Sequence, residues 1–315
     1  EQGEFTRRAF LNGKIDLTGA EALADLIDAE TEAQRLFALR NASGAQAALY
    51  AGWRERLIAA RALLEAELDF SDQEDVPGSV KEAVSAEMGD MARAIRAHIA
   101  GFRRAEILRE GFDVVIVGAP NAGKSSLLNA LAKRDVALVS DEPGTTRDLI
   151  EVALDLNGIK VRLTDTPGIR DAASKVESMG IERALARSRS ADLILQLYDL
   201  SSELRPAAMD GALLVGSKCD LAPSDRSDMA ISAMTGEGLR ELLDMIESRA
   251  RAAAGNVADM LPARMRHVEL LRAAAGFIDD AVSHEAAELQ AEALRQASGA
   301  IGRITGQIDV EDILG

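Results

Sequence analysis

Gly118-Ala119-Pro120-Asn121-Ala122-Gly123-Lys124-Ser125 follows the pattern G-x-x-x-x-G-K-[ST]. It comes directly after the β-branched run Phe112-Asp113-Val114-Val115-Ile116-Val117 and leads into a helical pattern. In that setting the glycines let successive backbone N–H groups curl around phosphate oxygens at a helix N-terminus. Asn121, Ala122, Gly123 and Ser126 would frame the phosphates. Lys124 would reach the β- and γ-phosphates, and the Ser125 hydroxyl would ligate Mg2+.

Further along, Asp165-Thr166-Pro167-Gly168 closes an apolar strand. Asp165 could hold Mg2+ through water and Gly168 could offer its N–H to a γ-phosphate, although Pro-Gly also reads as an ordinary turn. Between the two motifs, Gly144-Thr145-Thr146-Arg147-Asp148 supplies a hydroxyl to complete the Mg2+ shell; Thr146 is the first choice, with Thr145 the alternative. Ser217-Lys218-Cys219-Asp220 follows another strand. Asp220 could accept hydrogen bonds from the guanine N1–H and exocyclic amine while the Lys218 stem lies over the ring. Ser217 stands where the usual N-K-x-D has Asn, and its shorter reach predicts a lower affinity for guanine. Ser232-Ala233-Met234 fits a last base-contacting loop. The five motifs in this order predict binding of GTP and GDP rather than an adenine nucleotide.

Hydrolysis needs a positioned water, and many such enzymes place a Gln just after D-x-x-G. Here Ile169 and Arg170 follow Gly168, with no Gln nearby. Asp171 and Glu177 are the candidates, and either also reads as a solvated loop carboxylate.

The elements that must position these residues divide the chain into three stretches. Residues 1–110 are rich in helix formers. Thr18 and Glu21 have capping-box spacing and predict a helix running towards Arg40, with Leu23, Leu26, Ile27 and Ala29 on its apolar face. Further helical patterns cover about 45–68 and 80–108, with a loop over 70–78. Residues 111–255 alternate strands (112–118, 149–156, 159–164, 192–198, 212–216, 229–232) with helices (about 124–133, 178–189, 237–254). This predicts an α/β domain with a mostly parallel sheet and helices on both faces. Asn157-Gly158 predicts one antiparallel hairpin. Residues 256–315 are helical again, at about 263–283 and 285–300. Too short to build a core alone, they are expected to pack with residues 1–110. The predicted architecture is therefore an α/β P-loop domain inserted into a discontinuous helical-bundle domain.

The chain has 315 residues, is 47% hydrophobic and carries a net charge of −16. That excludes disorder, and the acidic balance argues against a free-standing nucleic-acid binder, which normally shows a basic face. No apolar run is long enough for a membrane span. With a single cysteine, Cys219, there is no intrachain disulfide, and a cytoplasmic location is expected. His98, His267 and His284 sit in helical patterns without ligand spacing and read as packing residues, so no metal beyond Mg2+ and K+ is expected.

The opening stretch Gly3-Glu4-Phe5-Thr6-Arg7-Arg8-Ala9-Phe10-Leu11-Asn12-Gly13-Lys14-Ile15-Asp16-Leu17, with Ala20-Glu21-Ala22 and Asp25-Leu26-Ile27, resembles bacterial tRNA-modification GTPases of the MnmE (TrmE) family. So do Pro120 to Ser125, Gly144 to Asp148 and Gly180-Ile181-Glu182-Arg183. The resemblance covers nearly the whole chain, and its opening segment separates it from Era- and EngA-like ribosome-assembly GTPases. It implies a homodimer with a folate-binding domain ahead of this segment and a C-terminal Cys-x-Gly-Lys tail beyond it, so the chain reads as a piece trimmed at both ends. It further implies K+ activation through Asn121, with G domains pairing across the nucleotide face, and it places the water-orienting glutamate at Glu177, ahead of Asp171. Arg147 and Arg170 match switch arginines. An FAD-containing MnmG (GidA)-like partner is implied, with tRNA engaged through the complex and no membrane association. The reaction implied is C5 aminomethylation or carboxymethylaminomethylation of wobble uridine. Two rivals make different predictions: a ribosome-assembly GTPase would carry a basic RNA-binding module, and a dimerisation scaffold would hold GTP without turnover.

Overall fold

A computed structural model of the chain describes residues 3–69, 79–134, 136–138, 151–165, 191–202, 205–222 and 229–306. The predicted loop at 70–78 and helix at 178–189 lie outside them. The chain forms two compact units: one comprises 1–29, 35–109 and 256–315, the other 30–34 and 110–255.

The first unit is helical, with α1 (Glu4–Leu11), α2 (Leu17–Ile27), most of α3 (Glu32–Ala42), α4 (Ala45–Asp69), α5 (Ser79–Ala100) and α6 (Phe102–Glu110). The elements α9 (Met265–Ser283) and α10 (Ala287–Thr305) complete it. Its core follows from apolar spacing. On α4, Tyr50, Trp53, Leu57, Ala60 and Leu64 recur at alternating steps of three and four, as do Val84, Met88, Met91 and Ile95 on α5. Leu271, Ala274 and Ile278 on α9, with Leu294, Ala297, Ile301 and Ile304 on α10, close the same cluster. Such stripes keep one face of each helix towards its neighbours, and the interspersed alanines allow close approach.

Several helical boundaries differ from expectation. Asp16, not Thr18, caps α2: its Oδ1 accepts from Gly19 N–H at 2.6 Å and from the Thr18 hydroxyl at 2.8 Å. Glu21 is thereby released to face α9. The helix does not run on to Arg40. It stops at Ile27, and Gln34 Oε1 accepts from the N–H groups of Glu30 and Thr31 at 2.9 and 3.0 Å, capping a new helix, α3. Nor do Leu23 and Ile27 form a core stripe, being 38% and 75% exposed; the buried side chains of α2 are Thr18 and Ala22. The pattern at 80–108 is broken at Gly101, between α5 and α6.

The second unit contains β1 (Phe112–Gly118), α7 (Lys124–Ala132), β2 (Glu151–Leu156), β3 (Ile159–Asp165), β4 (Leu193–Asp199), β5 (Ala212–Ser217), β6 (Met229–Ile231) and α8 (Leu239–Ala254). The sheet order is β2-β3-β1-β4-β5-β6. Among these described strands every pairing is parallel except β2 with β3. The central strands read as nearly continuous apolar runs because helices cover both faces of a parallel sheet. The β2–β3 turn has Asn157 at φ 49° and Gly158 at φ 88°, the two positive values a tight hairpin turn requires. Residues 30–34, which the sequence placed with the helical stretch, group with this unit: Ala33 N–H donates to Gly158 O at 3.0 Å, and Glu30 pairs with Lys160. Thus the α/β unit is inserted between two portions of the helical one.

Candidate nucleotide site

Parallel strands deliver their C-terminal ends to one edge of the sheet, where open α/β folds bind ligands. Four motifs meet there. β1 ends on Gly118 at φ 155°, where a Cβ would lie 2.4 Å from the Leu197 carbonyl oxygen of β4; only glycine lets the chain leave the sheet at this point. The loop then turns through Asn121 (φ 64°) and Gly123 (φ 92°) before α7 begins at Lys124. The N–H groups of the first helical turn therefore point into the loop.

Lys124 is 6% exposed, and its Nζ donates to the carbonyls of Gly118 and Ala119 at 2.8 and 3.1 Å. This carries the ammonium back across the loop, where a phosphate chain would pass. Ser125 Oγ donates to Asp165 Oδ2, from the end of β3, at 3.0 Å. A hydroxyl and a carboxylate side by side are hard oxygen donors of the kind Mg2+ takes, so these residues fit that ion.

The base-binding residues lie two strands further along, at the end of β5 with β4 between. Gly123, Ser126, Lys218, Asp220, Ala233 and Met234 line a cleft of about 480 Å³, measured out to solvent. Met234 and Leu221 stand 89% and 67% exposed at its rim, offering apolar surface to a flat ring. Ser217 is buried, and its hydroxyl reaches Ala122 O at 2.6 Å, with Tyr198 O at 3.1 Å as a second acceptor. Short as it is, this side chain ties the end of β5 to the phosphate loop. Ser232 takes a different place from its neighbour Ala233: it is fully buried, outside the cleft lining, and its Oγ accepts from Met234 and Thr235 N–H at 3.2 and 3.1 Å, folding the loop that presents Ala233. Asn121 is exposed on the phosphate loop, also outside the cleft lining. Cys219 is half-buried, with its thiol pushed up by burial and by nearby Glu237 and Asp220.

The structure thus gathers Ala122, Gly123, Lys124, Ser125, Ser126, Asp165, Ser217, Lys218, Asp220 and Ala233 at one edge of the sheet. Thr145, Thr146, Gly168 and Glu177 lie outside the described residues, as do Arg147, Arg170 and Asp171. Sequence reasoning missed Asp199, the last residue of β4, whose Oδ2 accepts from Lys218 Nζ at 2.5 Å. The available signal was a carboxylate ending the strand before the base-binding strand. Among the described residues no group of His, Cys, Asp and Glu forms a further metal cluster, and no helix is long and apolar enough to cross a membrane.

Comparison with known proteins agrees with this geometry. A family model described as the MnmE helical domain matches residues 17–315. The tRNA modification GTPase MnmE of Mesorhizobium japonicum is 57% identical over 326 residues, which take in 100% of this chain and 74% of that protein. Its namesake from Chelativorans sp. is 54% identical over 322 residues, covering 100% and 73%. Among solved structures, the G domain of the T. maritima FeoB iron transporter is 24% identical with a TM-score of 0.34, covering 46% of this chain and 99% of that one. Era in complex with MgGDPNP and a 16S ribosomal RNA segment is 24% identical with a TM-score of 0.35, covering 53% and 66%. Scores this low add nothing to the fold described above. The phosphate loop, the cleft beside it and the whole-chain identity agree, and the chain belongs to the MnmE family of tRNA-modification GTPases.

Proposed function

We propose that this chain hydrolyses GTP in a K+-stimulated cycle in which the α/β units of a homodimer pair across their nucleotide faces. In the full-length protein that motion would drive C5 aminomethylation or carboxymethylaminomethylation of wobble uridine in cytoplasmic tRNA. An FAD-containing MnmG-like partner would take part, with folate bound in a domain ahead of this segment. The observation that carries the nucleotide part is the contact of Ser125 with Asp165 beside Lys124, at the same sheet edge as the Lys218–Asp220 cleft, which follows β5 two strands from β1. This spacing suits a guanine nucleotide lying along the sheet edge.

Each residue then has a task. Lys124 and the N–H groups from Asn121 to Ser126 hold the phosphates, and Gly168 adds its N–H to the γ-phosphate. Ser125, Asp165 through water, and Thr146 (or Thr145) would hold Mg2+, which would supply positive charge to offset that of the phosphates. Asn121 offers an exposed carboxamide oxygen to K+. Glu177 orients the attacking water. Asp220 accepts from the guanine edge, Lys218 covers the ring, and Ala233 backs it. The acidic balance of the chain fits a division of labour in which the partner supplies much of the tRNA-binding surface.

Hydrolysis measured in KCl and in NaCl, for this chain and for Glu177→Ala, tests the reading. Turnover should be faster in KCl, and the variant should lose most turnover while still binding GDP. Equal rates in the two salts would remove the potassium assignment, and full activity in the variant would remove Glu177. Sedimentation with GDP and aluminium fluoride should show dimers in KCl; monomers there would remove the pairing step.

A further inference from the structure

Lys218 and Asp220 have conflicting requirements. They stand two residues apart and line one cleft. Asp220 must keep its oxygens available for the guanine edge, yet two residues before it stands Lys218, an ammonium on a flexible four-carbon stem that lines the same cleft. A lysine free to swing would neutralise the very carboxylate that reads the base, and its stem would give up much rotamer entropy on being covered by a ring.

The structure holds that lysine elsewhere. In the parallel register of β4 and β5, Asp199 lies opposite Ser217, so the last residue of one strand adjoins the start of the base-binding motif. Asp199 Oδ1 accepts from Ser201 N–H at 2.9 Å and from the Ser201 hydroxyl at 2.6 Å, a turn that fixes the carboxylate. Its other oxygen, Oδ2, is thereby aimed at Lys218 Nζ, 2.5 Å away. The two strand ends are stitched again by Leu200 N–H to Ser217 O at 3.0 Å. Lys218 itself sits at φ 60°, a backbone setting uncommon outside glycine, which steers its side chain away from the path of a regular strand. Partial burial opposes ionisation of Asp199, but the bonds from Lys218 and Ser201 outweigh it and hold the carboxyl below its ordinary value.

We infer that Asp199 is a positioning residue for guanine recognition: it pins the Lys218 ammonium so that the stem lies along the cleft wall and Asp220 stays free to accept from the base. This rests on the reading of Lys218 and Asp220 as the base-binding pair. Asp199 touches neither the base nor the reacting phosphate, so its removal should act on affinity and selectivity and leave turnover at saturating GTP alone.

The experiment uses competition of GDP, IDP and ADP against a fluorescent GDP, with GTP turnover measured in parallel. Asp199→Asn keeps an oxygen for the Ser201 turn but loses the charge. It should raise the Kd for GDP about five- to thirtyfold and narrow the preference for GDP over IDP, with kcat within about twofold of the parent. Asp199→Glu should recover most of the affinity. In a Lys218→Met background, Asp199→Asn should add little, since the partner it holds is gone. GDP affinity unchanged in Asp199→Asn, or an effect that persists undiminished in Lys218→Met, would overturn the inference; so would a loss confined to kcat. If Asp199→Asn does not fold, the Asp199→Glu and Lys218→Met pair of measurements decides, with parental GDP affinity in Lys218→Met counting against it. Asp220→Ala separates the two levels: intact guanine preference there would bring down the base-cleft reading itself, whereas loss there with parental behaviour in Asp199→Asn would bring down only the role of Asp199.

Discussion

Acid should loosen the helical unit well before it titrates carboxylates, and His98 is the chief reason. The ring lies in a polar knot inside the bundle. It stacks edge-on against Tyr50 and Trp53 at 5.7 and 5.5 Å, and its Nε2 lies 3.1 Å from the Tyr50 hydroxyl. Burial, helped by the nearby His267, lowers its pKa from 6.5 to about 4, against a hydrogen bond to the Met260 backbone that works the other way. His267 is fully buried between Tyr50 and Glu21, with Nε2 3.1 Å from a Glu21 oxygen, and burial depresses it too, despite that carboxylate. A depressed histidine is neutral when folded. As pH falls through 6.5 the unfolded chain takes up a proton that the folded chain refuses, so stability is lost below that point and the loss ends near the folded value. For His98 alone the slope is about 1.4 kcal/mol per pH unit, giving about 1.3 kcal/mol between pH 7.5 and 5.5. This is an upper bound, since the ring is only half-buried and its surroundings can relax around a charge. Trp53 is the only tryptophan in the chain, so its fluorescence during urea unfolding reports on this unit. The midpoint should fall by about 0.4–1.3 M urea over that pH interval. His98→Phe keeps an aromatic ring but cannot titrate, and its midpoint should fall by much less, leaving only the share of His267. An equal fall in parent and variant would refute the reasoning.

Two other predictions concern the α/β unit. Ser217→Ala removes a buried hydroxyl and strands the Ala122 carbonyl, a cost of about 1–3 kcal/mol. The Kd for GDP in a fluorescence titration should rise about five- to a hundredfold, and an unchanged value would show that the link between β5 and the phosphate loop is idle. Gly238 caps α8 at φ 71°, and a Cβ there would lie 2.1 Å from the Ala230 carbonyl oxygen. Gly238→Ala should therefore destabilise the unit by at least about 2 kcal/mol in urea titrations followed by circular dichroism, because both backbone strain and a backbone clash must be relieved. A parental midpoint would contradict this.

Much of the α/β unit was legible in the sequence because its signals are local. The spacing from Gly118 to Ser125 sets a loop between a strand and a helix whatever surrounds it, and Asn157-Gly158 needs only its own two dihedrals to turn a hairpin. The phosphate loop and the base-binding strand could be read on that basis. What could not be read depends on residues distant in sequence. Asp16, not Thr18, caps α2, while Glu21, the capping-box partner expected for Thr18, is held by Arg266 and His267, about 245 positions away. Leu23 and Ile27 have helical spacing, but periodicity alone does not say which face meets a neighbour. Asp199 acquires its partner only through the register of β4 with β5. The bond from the Ser217 hydroxyl to Ala122 O likewise depends on where β5 ends beside the phosphate loop, which no local pattern shows.

The inserted arrangement also sets an order of events during synthesis. The apolar stripes of α4 and α5 leave the ribosome first, but the helices that bury them, α9 and α10, follow only after a further stretch of about 150 residues. At about 5–20 residues per second, Leu57, Leu64, Met88 and Ile95 wait on the order of ten to thirty seconds for their partners. The α/β unit, whose strands all lie within residues 110–255, can fold within that interval and leave fewer flexible residues between the two portions of the bundle. Substitutions that slow folding of the insert should therefore be felt as aggregation of the helices around it, even where the finished bundle is untouched.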